Sequence, residues 1–350
     1  MAKTWRSSHF YGDGRGFIQE PHKRTGVDMT ENLAERPLKI AVTIDDFVLW
    51  DGVPMPAGAT PTTITRSVAK TLNDYGLGGT YGFSHTYRLD QEPEHLAAFD
   101  AWAEAGHHVG NHTHEHAPLR WMSDAAFRRD FETAEKHIGH LIEAAPRKYF
   151  RYPMDMCSGS EQRRGEVEQY LADNGYTNAP ITSWFSDFAF IVPYFRALTL
   201  RDSEAQKQVR DMHVATAVEM LHKHADTARA LFGADAPLIW LVHGTTIARD
   251  TLPAILEAFL EEGVEFVPLD EAMRHPVNYA MPPAVESFSN HLQRFAIAAG
   301  LPKPELEYER LGEIIHLAPM PGSDTMAVYE NGVFKPMAER LGVAYDWDWS

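Results

Sequence analysis

The sequence predicts an α/β fold built on a parallel sheet, and three observations carry that prediction. Short apolar or alternating runs recur through the middle of the chain, and most are followed by an amphipathic stretch long enough for a helix. Glycine closes some of those stretches, as at Gly76 and Gly106. Residues able to do chemistry gather just after the apolar runs, at what would be the C-terminal face of the sheet. Either a barrel or an open doubly wound sheet meets these conditions.

Residues 1–36 are polar, rich in glycine and charge, and aperiodic, and form an N-terminal extension, an arm or a lid. Residues 38–44 alternate, with Leu38, Ile40, Val42 and Ile44 on one side, and read as a strand. A helix follows over 63–76, then a short strand over 79–85. Residues 93–106 form a helix with Leu96, Phe99 and Trp102 on one stripe. A brief strand at 107–110, a long helix over 123–145 and a strand at 148–152 come next. Residues 166–175 read as a helix, 176–182 as a strand, and the stretch on to Phe232 as largely helical. The continuous apolar run 237–242 fits a buried strand. Leu252, Ile255, Leu256, Phe259 and Leu260 then fall at helical spacing, 264–269 is the last strand, and 270–273 opens a short helix. The main domain therefore spans 37–275. After His275 the alternation stops: 284–300 looks helical, and Asn331-Gly332 is a hairpin signal. Residues 276–350 read as a C-terminal extension packed on the main domain.

The 350 residues are 44% hydrophobic and 23% charged, ample for one core of roughly 250 residues plus extensions. A net charge of −17 repels phosphate backbones and anionic lipid, so neither nucleic acid nor a membrane surface is expected as a partner. The N-terminus lacks the apolar segment of a secretory signal and no run of about 18 apolar residues occurs, so a cytoplasmic location is expected. The single cysteine, Cys157, excludes an internal disulfide, and no histidine lies near it in sequence to make it a nucleophile.

Five separate segments deliver polar groups to the same end of the strands. Asp45 and Asp46 end the first strand, and the strand at 107–110 runs into His112, His114 and His116. Arg151, the segment 183–188 and His243 end three others. Taken singly, each has a plain explanation. An Asp-Asp pair fits a turn with a helix cap, a histidine after an apolar strand fits the core, and an arginine after a strand fits an ion pair. The histidine cluster is harder to explain away. His112 and His116 are four apart, so one helical turn would put both on one face at ligand separation. His112 with His114 would suit an extended strand instead, but Asn111 and Pro118 argue for a turn. His137, His140, His213, His222 and His224 fall in helices and read as ordinary.

In this order the motifs resemble those of the polysaccharide deacetylases, the NodB homology domain of carbohydrate esterase family 4. "TIDD" at 43–46 is similar to the first motif, "HTHEH" at 112–116 to the second, "FRYP" at 150–153 to the third and "LVH" at 241–243 to the last. The resemblance spans about residues 38–275 and implies a distorted (β/α) barrel of seven or eight units. It implies that Asp46, His112 and His116 hold a metal, that Asp45 is the base with Arg151 its partner, and that His243 is the acid. The fourth motif, usually Asp-Trp, aligns with Asp187-Phe188, which assigns Asp187 to His243 and Phe188 to the pocket wall, with Trp184 a second wall candidate. The backbone N–H of Tyr152 is the nearer candidate for an oxyanion donor, since Pro153 has none.

Two histidines and a carboxylate favour a divalent metal, zinc first, with cobalt or nickel also fitting. The expected activity is hydrolysis of an amide, foremost N-deacetylation of an acetamido sugar or oligosaccharide. Hydrolysis of a small non-sugar amide or imide by the same chemistry is the alternative, and a non-catalytic glycan- or metal-binding module is a second. Such a module has no need of Asp45 and His243. Trp50, Trp121, Trp184 and Phe188 near the mouth suit sugar stacking and core packing equally. A homo-oligomer is compatible with the two extensions.

Overall fold

Strand β1 (Lys39–Asp45) sends alternate side chains into two different cores. Ile40, Val42 and Ile44 join a large cluster with the surrounding helices, while Ala41 joins Tyr81, Phe83, Tyr149 and Ile239 in a second. The second cluster is the lumen of a curled sheet. The computed structural model describes residues 37–157, 159–285 and 288–347, so the N-terminal extension 1–36 lies outside the described residues.

The sheet adds β2 (Tyr81–Ser84), β3 (His108–Asn111), β4 (Lys148–Phe150), β5 (Tyr176–Asn178), β6 (Leu238–His243) and β7 (Glu265–Phe266). Their order is β5-β4-β3-β2-β1-β6 with β7 also on β1, and every pairing is parallel. One edge of β1 pairs with β6 from Ile40 to Asp45. Its other edge is divided, with β7 against Lys39 and Ile40 and β2 against Thr43 to Asp45. That division distorts the barrel and limits β7 to two residues, fewer than the alternation at 264–269 suggests. β5 is also shorter than expected, because the chain leaves β4 after Ala179 and crosses to β6. There Ser183 bridges Trp240, and the N–H groups of Thr182 and Ser183 donate to the Ile239 carbonyl at 3.1 and 2.9 Å. The two ends of the sheet thus meet, and the fold is a parallel, curled (β/α) barrel rather than an open sheet.

The helices outside are α1 (Pro61–Asp74), α2 (Leu96–Glu104), α3 (Asp124–Glu143), α4 (Glu161–Asp173), α5 (Phe188–Thr199), α6 (Ser203–Phe232) and α7 (Thr246–Glu261). Caps set several of their starts: Thr60, Ser123, Ser160 and Thr245 each accept a hydrogen bond from an N–H of the first turn. Ile64, Val68 and Leu72 of α1 and Leu252, Ile255 and Leu256 of α7 pack over the outer face of β1. The short α8 (Leu269–Ala272) packs with Ala41 and Tyr81 at the N-terminal end of the lumen, where the Tyr149 hydroxyl donates to Asp270 at 2.6 Å. No described helix is long and apolar enough to cross a membrane.

The chain from Pro37 onward forms one compact unit. Its last part carries α9 (Pro276–Tyr279), α10 (His291–Ala298), α11 (Tyr308–Ile315), α12 (Thr325–Tyr329), a π-helical turn (Glu330–Phe334) and α13 (Lys335–Leu341). Asn331-Gly332 therefore makes no hairpin. Asn331 Nδ2 donates to the Ala327 carbonyl at 3.0 Å, a helical contact, and Gly332 answers to packing. A Cβ on Gly332 would lie 2.8 Å from the Gly52 carbonyl oxygen, in the loop that follows β1. Other contacts tie this region to the same end of the barrel. Arg340 Nε donates to Glu115 at 2.7 Å, its guanidinium lies 4.3 Å over the Tyr87 ring, and the Tyr329 hydroxyl donates to the Phe188 carbonyl at 2.7 Å. Trp347 stacks on Phe334 at 4.0 Å and meets Trp121 edge-on.

Candidate active site

Neighbouring residues on a strand point to opposite faces, so two adjacent carboxylates serve one site only if the backbone turns between them. Asp45 is the last residue of β1, and Asp46 takes a left-handed φ of 48°, a region Asp tolerates better than most residues. Both are buried. Asp46 Oδ1 accepts from His85 Nδ1 at 3.0 Å, while Oδ2 lies 3.3 Å from His116 Nε2 and has no hydrogen-bond partner among the described residues. Burial works against the Asp46 charge, but His116 and His85 outweigh it and hold the carboxyl below its usual range. Asp45 shifts the other way. Burial pushes its pKa up and Arg151, 2.6 Å away, only partly offsets this. A permanently ionised carboxylate suits a cation, and one of raised pKa suits proton exchange.

The histidine loop differs from the expected helical turn. Residues 112–118 are not helical, and Thr113 and His116 take left-handed φ values of 63° and 58°. Side chains hold this shape. Asn111 Oδ1 accepts from the Thr113 N–H at 2.9 Å, Thr113 Oγ1 from the His116 N–H at 3.2 Å, and Asp130 Oδ1 from the Glu115 N–H at 2.8 Å. The result still brings His112 Nε2 within 3.1 Å of His116 Nε2. His112 Nδ1 faces the Arg151 carbonyl at 2.9 Å, which can only accept, so the ring proton sits on Nδ1 and the Nε2 lone pair faces the site. Burial lowers the pKa of both rings and keeps them neutral.

Asp46, His112 and His116 fit a divalent metal. Bonds of about 2.0–2.1 Å in tetrahedral geometry set ligand atoms about 3.3 Å apart. The two closest contacts in the cluster are 3.1 and 3.3 Å, all three side chains are buried, and the unpartnered Asp46 Oδ2 is the oxygen that faces it. His114 points away, with Nδ1 3.0 Å from Thr86 Oγ1.

Arg151 fills the lumen beneath the carboxylates. Its guanidinium lies 4.1 Å over the Phe83 ring, Nη1 donates to Thr43 Oγ1 at 2.9 Å as well as to Asp45, and Nε donates to the Ala179 carbonyl at 3.0 Å. His243 ends β6 and is gripped by Asp187 twice: Nδ1 lies 2.8 Å from Oδ1, and its backbone N–H donates to Oδ2 at 2.7 Å. Burial disfavours its charge, but the Asp187 carboxylate raises its pKa to about 9. His243 Nε2 is 3.8 Å from Asp46 Oδ2. Trp184 and Phe188, both half-buried, stack at 6.1 Å on the Asp187 side of the mouth, flanked edge-on by Phe288 and Tyr329. The Tyr152 side chain is buried in the core, its hydroxyl donating to Glu168 at 3.1 Å.

Two supporting residues, His85 and Asp130, escape the sequence reading. His85 directly follows β2, close to where Asp45 and His243 end their strands, and that position is a signal. Trp50 stacks on His85 and meets His116 edge-on. Asp130 lies in mid-helix and carries no local mark. Cys157 is buried and its thiol pKa is pushed up by burial, so it is inert.

Residues 34–179 match the family model described as polysaccharide deacetylase. No curated protein matches the chain. Among solved structures it is similar to a family 4 carbohydrate esterase pseudoenzyme from Bacillus anthracis, with 13% identity, 68% of this chain and 66% of that one covered, and a TM-score of 0.45. A family 4 carbohydrate esterase of Bacillus subtilis shows 16% identity over 68% of this chain and 81% of its own, with a TM-score of 0.42. One from Streptomyces lividans, in complex with acetate, shows 18% identity over 65% and 90%, with a TM-score of 0.41. The matched segment carries Asp45, Asp46, His112, His116 and Arg151, and over that segment the chain is similar to the polysaccharide deacetylase family.

Proposed function

We propose that the chain is a metal-dependent N-deacetylase acting on an acetamido sugar, as monomer or short oligosaccharide. The observation that carries this reading is a cation-sized cluster with Asp45 3.8 Å from His112 and His243 3.8 Å from Asp46: a carboxylate placed to take a proton and an imidazole, its pKa raised by Asp187, placed to give one. Asp46, His112 and His116 would hold a divalent ion, zinc by their donor set, which would supply Lewis acidity and make water a stronger acid. Asp45 takes the proton of the attacking water, with Arg151 fixing the direction of its carboxylate. The Tyr152 N–H donates to the oxyanion as the acyl carbon becomes tetrahedral. His243, held charged by Asp187, donates from Nε2 to the departing nitrogen. Trp184 and Phe188 offer a flat apolar wall for a sugar face or acyl group.

The preference for short substrates rests on the C-terminal helices. Tyr329 packs on Phe188, Gly332 against Gly52, and Arg340 on Glu115, so this extension rims the mouth that a long polymer would have to cross. The same rim supports the second reading, a small non-sugar amide. Amine release from N-acetylglucosamine, its oligomers and polymer, beside a panel of small amides, with and without a chelator, tests both. The highest specificity constant is expected on monomer or short oligomer, with loss of activity on chelation and return with zinc. Turnover confined to small amides moves the assignment to the second reading. No turnover by fully metal-loaded protein leaves only a binding module.

The pH profile follows from the two shifts. Activity falls on the acid side as Asp45 gains a proton and on the alkaline side as His243 loses one. Removing the Asp187 charge lowers the pKa of His243, so Asp187→Asn is expected to move the alkaline limb to lower pH. An unmoved limb would mean that another group donates the proton.

A further inference from the structure

Beside the first cluster lies a second, made of Asp90, His114 and His137. Asp90 ends a 3-10 turn (Tyr87–Asp90), His114 lies in the loop between His112 and His116, and His137 comes from the middle of α3. His137 Nε2 is 3.0 Å from Asp90 Oδ1, and His114 Nε2 is 3.5 Å from Asp90 Oδ2. The two rings stack nearly parallel, 5.6 Å apart and tilted by 5°, so both present Nε2 to one carboxylate.

From this geometry we infer a second divalent-metal site, held by Asp90, His114 and His137. The 3.5 Å separation is too long for a good hydrogen bond. The two separations, one to each Asp90 oxygen, lie near the spacing of about 3.3 Å that ligands keep around a tetrahedral ion with bonds of about 2.0–2.1 Å. His114 has the support a ligand needs. It is buried, and Thr86 Oγ1, 3.0 Å from Nδ1, can accept a hydrogen bond from Nδ1–H and leave the Nε2 lone pair for a cation. Two imidazoles with one carboxylate select zinc, cobalt, nickel or copper over magnesium or calcium. Asp90 is exposed and His137 half-buried, which leaves room for water to complete the coordination. The site includes neither Asp45 nor His243, and its ion takes a structural role. It joins three segments that no strand pairing connects, the loop bearing His112 and His116 among them. This inference stands whether or not the first site hydrolyses amides.

Equilibrium dialysis of the full chain against buffered zinc, followed by metal analysis, tests it. The wild type is expected to hold two zinc ions, His137→Ala one, His116→Ala one, and the double variant none. Asp90→Asn, at an exposed position, serves as the second probe and is also expected to hold one. Thermal unfolding gives a separate readout: zinc raises the Tm of His116→Ala but not that of His116→Ala with His137→Ala. A wild type with one ion whose His137→Ala variant keeps it, or a His137→Ala variant that still binds two, overturns the second site.

Discussion

His116→Ala is expected to empty the first metal site and lower kcat/KM by more than about a hundredfold, beyond the upper end of what loss of a mere supporting partner costs a metal centre. His116 Nε2 lies 3.1 Å from His112 Nε2 and 3.3 Å from Asp46 Oδ2, so it is the member that touches both others. Its removal leaves the Asp46 carboxylate and one imidazole, too few for a tight divalent site. The side chain is also buried against Trp50, so truncation opens a cavity. Metal content and far-UV circular dichroism, read together, separate an emptied site from an unfolded chain. A folded His116→Ala protein with wild-type zinc and activity would show that the cluster is an ordinary buried hydrogen-bonded group. Asp46→Asn should act in the same direction, since the amide nitrogen or neutral oxygen that replaces Oδ2 is a poor ligand.

Much of this site was legible because a parallel α/β sheet gathers the C-terminal ends of its strands on one face. Asp45, Arg151 and His243 each end a strand in sequence, and the barrel brings Asp45 and Arg151 to 2.6 Å although 106 positions separate them. Local shape was less legible. The spacing of His112 and His116 suggested a helical turn, yet the rings meet through a loop with two left-handed residues, because Asn111, Thr113 and Asp130 bond its N–H groups. No sequence period encodes such a loop. Asn331-Gly332 misled for a related reason. Its glycine answers a close approach by Gly52, which lies 280 positions away, and local turn chemistry has no knowledge of that contact. His137 read as an ordinary helical histidine, since nothing along α3 announces that its ring stacks on His114. The sequence-level signal was strongest where strand ends alone decided the position, and weakest where packing between distant segments did.

Asp45→Asn is expected to keep the metal and lower kcat by about 10²–10⁴-fold, the range that a positioned acid–base group supplies. Asn has the shape of Asp and fits the same buried space, but it cannot accept the proton of the attacking water. The metal should stay, because Asp45 is not among the three clustered ligands and its Oδ2 lies 3.8 Å from His112 Nε2. The substitution also leaves Arg151 without its anionic partner in a fully buried place. Breaking a buried ion pair from one side costs about 3–5 kcal/mol, softened here because Thr43 Oγ1, the Ala179 carbonyl and the Phe83 ring still face the guanidinium. A lower Tm should therefore accompany the loss of turnover. The two effects part in a metal-loaded variant assayed well below its Tm: a fold defect recovers there, and loss of the base does not. The pH profile gives a further check, since the acid limb belongs to Asp45 and should vanish from the residual activity of Asp45→Asn. If that limb persists and kcat stays at the wild-type level, the water gives its proton to some other group, and Asp45 serves only to neutralise Arg151.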